Sequence, residues 1–250
     1  MILSKTNVAP LATITDNPPS TTQDINVITD GDYSSVYTAA LSLGITETTF
    51  NFSTPQNIGY IAAAGNISQK TRVSVNATVD GNFVGVLDKN LAYSDSQVMV
   101  FKVDLTGVTS IFFRVHGSGQ LAITEIAMGE YYTVPNGGEQ SGYKRPWTIP
   151  NRETRTAKSL NASPIATLYQ GRSIKSRLTI PNKLMANYSD YYDFLNFATT
   201  STFYILEDDD FLHSCAGFNI KPLETKAHGS TRLLGVSGFN FDAYSKGMIL

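Results

Sequence analysis

Thr49-Phe-Asn-Phe-Ser-Thr-Pro-Gln-Asn-Ile-Gly-Tyr-Ile61 sets Phe50, Phe52, Ile58 and Tyr60 on one parity and Asn51, Ser53, Asn57 and Gly59 on the other. Successive side chains of a strand point to opposite faces, so this alternation predicts strands with one buried face. Upstream, Ile28-Thr-Asp-Gly-Asp-Tyr-Ser-Ser-Val-Tyr37 carries a turn signal at Asp30-Gly31-Asp32. Glycine reaches positive φ without steric cost, and aspartate side chains bond to nearby backbone. Downstream, Ile111-Phe-Phe-Arg-Val115, a Gly117-Ser-Gly119 turn and Leu121-Ala-Ile-Thr-Glu-Ile-Ala-Met-Gly-Glu130 answer the first segment. Everything before residue 130 is expected to be arranged around these strands.

Outward from this centre, Asn7-Val-Ala9 opens the chain's first half, and Asp16-Asn-Pro-Pro-Ser-Thr-Thr22 reads as a loop. Thr71-Arg-Val-Ser-Val-Asn-Ala-Thr-Val79 alternates cleanly, and Asp80-Gly81-Asn82 turns it into Phe83-Val-Gly-Val-Leu87. Val98-Met-Val-Phe-Lys-Val-Asp-Leu105 is a further strand. Strands joined by short turns, without an amphipathic helix, point to an antiparallel sandwich or barrel.

The character changes after Tyr131. Val134-Pro-Asn-Gly-Gly-Glu-Gln-Ser-Gly142 is polar and glycine-rich, and Trp147, the sole tryptophan, stands between Pro146 and Pro150. This stretch reads as a linker whose Trp147 packs against a neighbouring domain or subunit. Beyond it, Arg152 to Arg155 and Gly171 to Ile180 read as strands with basic residues on one face. Leu184, Tyr188, Tyr191, Tyr192, Leu195 and Phe197 then fall near helical spacing, with Asp190 and Asp193 on the polar side. Strands follow at Thr202 to Leu206, around Cys215 to Ile220, and from Arg232 to Phe241, with the acidic turn Glu207-Asp-Asp-Asp210 after the first.

The predicted architecture is mainly β. A jelly-roll sandwich over residues 1–132 and a linker over 133–150 lead into a small β-barrel with one helix over 151–250. A chain of 250 residues and 27.2 kDa suits two ordinary domains. The formal charge of -2 and pI near 5.9 give no basic footprint, which argues against a nucleic-acid partner. The single cysteine, Cys215, excludes an internal disulfide, and no segment has the length and apolarity of a membrane span. Met1-Ile-Leu-Ser-Lys5 lacks the pattern of a signal peptide, so folding in a reducing cytoplasm is expected.

Catalysis needs a nucleophile with its base, a carboxylate pair or a metal cluster. His116, His213 and His228 are scattered, Glu207 to Asp210 reads as a solvated turn, and neither a phosphate loop nor Gly-x-Ser-x-Gly is present. No enzyme is expected.

The ordered set Asn7-Val-Ala, Asp30-Gly-Asp-x-x-Ser-x-Tyr37, Phe50-x-Phe-Ser-x-Pro-Gln-Asn-Ile-Gly-Tyr-Ile61, Phe112-x-Arg-Val115 and Leu121-x-Ile-x-Glu-Ile-x-x-Gly-Glu130 resembles a galactose-binding-like domain of the discoidin, or coagulation-factor type C, kind. The resemblance covers about residues 5–132. It implies a jelly-roll sandwich with ligands in loops at one end. Tyr37 stands where tryptophan is usual and Ser35 where threonine is usual. Carried over residue by residue, the resemblance implies a possible calcium site at Asp30, Asp32, Ser35 and Glu125, with no cofactor strictly required. The plainer alternative has Asp32 capping its turn and Glu125 paired with a neighbour such as Arg114. For sugar binding the resemblance offers Tyr33, Tyr37, Asn66, Tyr93 and Arg114. Each also has a structural reading, Tyr37 as core and Arg114 as a strand-face charge.

The strand–helix–strand order of residues 150–245, with Tyr191-Tyr-Asp-Phe-Leu-Asn-Phe197 before Thr202-Phe-Tyr-Ile-Leu-Glu-Asp208, resembles the hub domain of distal-tail and minor tail proteins of long-tailed phages. That resemblance implies a structural virion protein of a tail tip or baseplate. It would be assembled in the host cytoplasm, with copies of itself in a ring, other tail proteins and a host-surface glycan as partners. Trp147, Tyr188, Tyr191, Tyr192 and Phe197 are the candidate interface anchors, since aromatics dominate interface cores. The alternative is a carbohydrate-binding adhesin whose second domain is a spacer.

Overall fold

The computed structural model describes residues 1–17, 23–41, 43–91, 98–134, 152–158, 164–171, 174–181, 188–208, 211, 213–222 and 236–244. The expected linker from 135 onward, with Trp147, and Tyr93 lie outside the described residues.

The first half is built on two long strands, β4 (Ile45–Gly65) and β7 (Val98–His116), paired antiparallel along both of their lengths. The strands expected at Val98 to Leu105 and Ile111 to Val115 are thus one. Register shifts between Asn51 and Tyr60 divide this pair into two arms. On one arm, β4 also takes β2 (Ala12–Asn17), while β7 takes β5 (Arg72–Val79), which continues to β6 (Asn82–Asn90). On the other arm, β4 takes β8 (Gln120–Gly129), which takes β3 (Tyr37–Ala40). Phe50, Val75 and Phe113 of the first arm share a buried cluster with Ile61, Met99 and Ile123 of the second. The two arms therefore face each other as a jelly-roll sandwich.

The β4 irregularity matters because side-chain direction in a strand has period two, so a one-residue slip reverses every face. Phe50, Phe52 and Ile58 point into the sandwich core, as the alternation predicts. After the shift, Ile61 and Ala63 take over that role, while Tyr60, Ala62 and Ala64 face the opposite way. The second half of the chain packs on that outer face.

The second half is a six-stranded sheet of order β12-β15-β14-β13-β1-β9. Its members are β1 (Ile2–Ser4), β9 (Tyr131–Thr133), β12 (Ile174–Pro181), β13 (Phe203–Leu206), β14 (Ser214–Pro222) and β15 (Val236–Tyr244). The strands β10 (Arg152–Lys158) and β11 (Pro164–Gly171) form a separate hairpin. Among the described residues the sheet is open, where a small barrel was expected. It also draws its β1 from the extreme N-terminus and its β9 from beyond the sandwich, so both flanks of residues 5–130 are tied into it.

Alternation along β1 and β13 serves two cores at once. Leu3, Phe203, Ile205 and Cys215 face α1 (Tyr188–Thr200), and Ile2, Tyr204, Leu206 and Ala216 face the sandwich beside Tyr60 and Ala62. Helix α1 buries Tyr191, Phe194 and Ala198, a spacing that lies on one helical face. Phe194 meets the Phe203 ring edge-on with centroids 5.3 Å apart and Phe239 at 5.1 Å. Gly217 makes that packing possible, because a Cβ there would stand 2.4 Å from the Phe203 ring.

Candidate functional site

The Asp30-Gly31-Asp32 turn sits over Glu125 on β8. The Gly31 amide donates to the Glu125 carboxylate at 3.0 Å, and Glu125 is buried. Burial pushes this carboxyl up to about 8, with the Gly31 hydrogen bond opposing and the Asp30 charge adding to the rise. The Asp32 carboxylate instead accepts from the Ser34 amide at 2.8 Å and the Ser34 hydroxyl at 2.7 Å, and the Asp30 carboxylate accepts from the Asp32 amide at 2.7 Å. Ser35 donates its amide to the Asp32 carbonyl. Among the described residues no group of three or more His, Cys, Asp or Glu side chains gathers as a metal cluster. The arrangement offers calcium one buried carboxylate and the nearby Asp30, and the ion takes six to eight oxygens.

The described residues nominated for sugar binding do not converge. Tyr33 and Tyr204 share a hydroxyl contact of 2.5 Å that ties the turn to β13. Tyr37 is buried and donates its hydroxyl to Asp16, so it is a core residue. Asn66 brackets β8, donating to the Gln120 carbonyl at 3.1 Å and accepting from the Ala122 amide at 2.9 Å. Arg114 lies on the outer strand face. It pairs with Glu47, and not with Glu125.

Arg114 leads to a groove that no sequence argument assembled. Register places Glu47, Arg114, Ser74 and Asp88 side by side across β4, β7, β5 and β6, all on the outer face. Arg72 bonds Asp88 through two guanidinium nitrogens, one at 2.5 Å, and His116 lies 3.3 Å from the Ser74 hydroxyl. With Asn76 these residues border a cavity of about 490 Å³. Burial and the Arg72 charge hold the His116 imidazole below its ordinary value, so it is neutral at pH 7. Phe112 stands opposite Asn76 in the next row and pairs with Phe83 at 5.5 Å, and Phe83 is 63% exposed. Each cation in the groove is matched by a carboxylate, and an aromatic surface adjoins it.

Two strand patterns carry the signal that would have found this face. Arg72, Ser74 and Asn76 share the outward parity of β5, and Phe112, Arg114 and His116 that of β7. Their union required the register between strands.

Of the expected interface anchors, Tyr191 is a correction: it is 1% exposed, in the core beneath α1, because its ring fills the space beside Tyr132 and Phe194. Tyr192 is 52% exposed, Phe197 is partly buried, and Tyr188 opens the helix. Cys215 is buried, in no disulfide, and faces the same core, as a small apolar residue would. No helix among the described residues is long and apolar enough to cross a membrane.

No protein-family profile matches the chain, and no curated protein matches it. Solved structures similar to it include the family 32 carbohydrate-binding module of Clostridium perfringens NanJ, solved with galactose. That module is 14% identical with a TM-score of 0.43, and the match covers 53% of this chain and 100% of that one. A Clostridium perfringens module solved with GalNAc-beta-1,3-galactose is 14% identical with a TM-score of 0.42, over 50% of this chain and 100% of that one. A fucose binding module of Streptococcus pneumoniae is also 14% identical with a TM-score of 0.42, over 50% of this chain and 94% of that one.

Proposed function

We propose that this chain binds carbohydrate without catalysis, through the outer-face groove of β5, β6 and β7. The observation that carries the reading is the cross-strand row Glu47, Arg114, Ser74 and Asp88, flanked by Arg72, His116 and the Phe112–Phe83 pair. Sugar hydroxyls both donate and accept, and this row sets the planar Arg114 donor and the Ser74 hydroxyl between the Glu47 and Asp88 acceptors, at the cross-strand spacing of roughly 5 Å. The aromatic edge supplies a surface for the apolar face of a pyranose ring. With each arginine internally neutralised and His116 uncharged, the groove suits a neutral sugar on a cell-surface glycan. The galactose-binding-like resemblance of residues 5–132 agrees with this class, though it placed the ligand in end loops. A glycan array probed with the whole chain tests it. Neutral hexose ligands are expected, and loss of signal in Arg114→Ala is expected with them. An array with no ligand, or one on which Arg114→Ala binds as the parent does, sinks the reading.

The tail-hub resemblance of residues 150–245 supports a second reading, a ring component of a phage tail. The exposed Tyr192 on α1 is the aromatic anchor it would use first. Light scattering at several concentrations separates the two: a discrete trimer or hexamer favours the ring, and a monomer at all concentrations favours the binding module.

A further inference from the structure

The outer-face groove holds a group whose charge changes within the physiological pH range. His116 is partly buried at the end of β7, with Nε2 3.3 Å from the Ser74 hydroxyl. Arg72 lies opposite it on β5, Arg114 precedes it on the same face of β7, and the Asp88 charge reaches it from β6. On β4 its direct partner is the apolar Ile45, and the charged residue of that strand, Glu47, is paired with Arg114. Lys70, just before β5, gives its ammonium to the Ser118 and Gln120 carbonyls. Each guanidinium of the groove has its own carboxylate, Arg72 with Asp88 and Arg114 with Glu47, so the fixed charges cancel. The net charge of the groove is then the charge of His116.

Histidine is the side chain whose ordinary titration falls between pH 5 and 8. Here burial and the arginine charges press it to the lower part of that range, with Asp88 opposing. The groove is neutral at pH 7 and positive in mildly acid solution. Protonation also changes a hydrogen bond. A neutral imidazole can accept from the Ser74 hydroxyl at Nε2, whereas the charged ring is a donor at both nitrogens. Ser74 then accepts from Nε2, and its own hydrogen turns into the groove. Ser74 and Gly85, both small, line the cavity at this point, and Arg72 and Arg114 are the strand neighbour and cross-strand partner of Ser74. A carboxylate entering there in acid meets a charged imidazole, a hydroxyl donor and guanidinium edges. At pH 7 it meets no net charge to offset its lost hydration.

We propose that His116 selects the ligand of the groove: with the imidazole neutral the groove takes neutral hexoses, and with it charged it takes hexuronic acids through their carboxylate. The inference rests on the carbohydrate reading of the groove. The test is calorimetric titration of the whole chain at about pH 7.5 and about pH 5 with matched methyl glycosides, galactoside against galacturonide and glucoside against glucuronide. The uronide carboxylate is ionised at both, so the protein supplies the pH dependence. The affinity of uronide relative to hexoside is expected to rise about fivefold or more at the acid pH. His116→Gln is expected to hold that ratio constant, and His213→Gln, on the turn after β13, to keep the rise. Proton NMR of the parent gives a readout that needs no variant: one imidazole is expected to titrate at higher pH in saturating uronide than without it, since a ligand that prefers the charged ring stabilises it. A flat ratio in the parent, an equal rise in His116→Gln, or imidazoles that titrate alike with and without uronide overturns this inference and leaves the groove reading standing. Absence of binding by all the glycosides at both pH values removes the two together.

Discussion

The hydroxyls of Tyr33 and Tyr204 meet at 2.5 Å across 171 residues of sequence, joining the Asp30-Gly31-Asp32 turn of the sandwich to β13 of the second sheet. Tyr204 is buried in the cluster between the two layers, where burial raises its phenol well above the ordinary range. A neutral hydrogen bond of this kind contributes about 1 kcal/mol net. Tyr33→Phe and Tyr204→Phe should each lower stability by that order, about 2–4 °C in thermal midpoint for a chain of this size. The double variant should lose less than the sum of the two. Strict additivity in a double-mutant cycle would mean the hydroxyls do not meet.

Glu125 should give the turn region a distinctive pH response. Its folded value, about 8, lies above its ordinary 4.5, so the folded state holds a proton that the unfolded state releases between those limits. The stability this protonated carboxyl contributes is complete below about pH 4.5 and falls as pH rises through 8. Thermal midpoints should therefore decline across that window in Glu125's favour at the acid end, and Glu125→Gln should flatten the slope. A profile identical in parent and Glu125→Gln would remove this account.

In the groove, Arg114 and Phe83 make separate contributions. Arg114→Ala removes the planar donor of the central row and leaves Glu47 without its partner. Phe83→Ala removes only exposed aromatic surface beside the row. Both should weaken glycan binding, by about tenfold each for a contact worth about 1.4 kcal/mol. Phe83→Ala should leave the melting temperature nearly unchanged, as exposed substitutions do. Glycan affinity measured beside a melt distinguishes lost contact from lost fold.

Much of the sandwich was legible because its signal is local. The parity of Phe50, Phe52 and Ile58, the Asp80-Gly81 turn into β6 and the outward Arg72, Ser74 and Asn76 are properties of single strands. The face reversal at Tyr60 was not legible, since it depends on a register shift against β7. The same limit hid the groove, whose residues come from four strands, and it misassigned Tyr191, which helical spacing alone cannot turn inward or outward. The expected helix began near Leu184, which is outside the described residues; α1 runs Tyr188–Thr200, and its buried face is Tyr191, Phe194 and Ala198, with Tyr192 of the expected face turned outward. Four strands of the second sheet, β12 to β15, were legible, but β1 and β9 escaped reading for a different reason: each is three residues, too short to show any period.

The short strand β1 carries the last prediction. Leu3 of β1 is fully buried against the α1 core, Ile2 faces the sandwich, and the Ser4 hydroxyl accepts from the Tyr204 amide at 2.8 Å. Residues Ile2 and Leu3 pair with Leu206 and Ile205 on one side and Thr133 and Tyr132 on the other, so β1 fills the gap between β13 and β9. Without it both neighbours would present unpaired edges, and backbone groups buried there would lose their partners. Leu3→Ala should cost about 3 kcal/mol, the usual range for truncating a buried leucine. Leu11→Ala, at a residue 66% exposed, should cost only a few tenths. Chemical denaturation of the two variants compares them directly, and equal midpoints would mean that the N-terminus does not hold the second sheet to the sandwich.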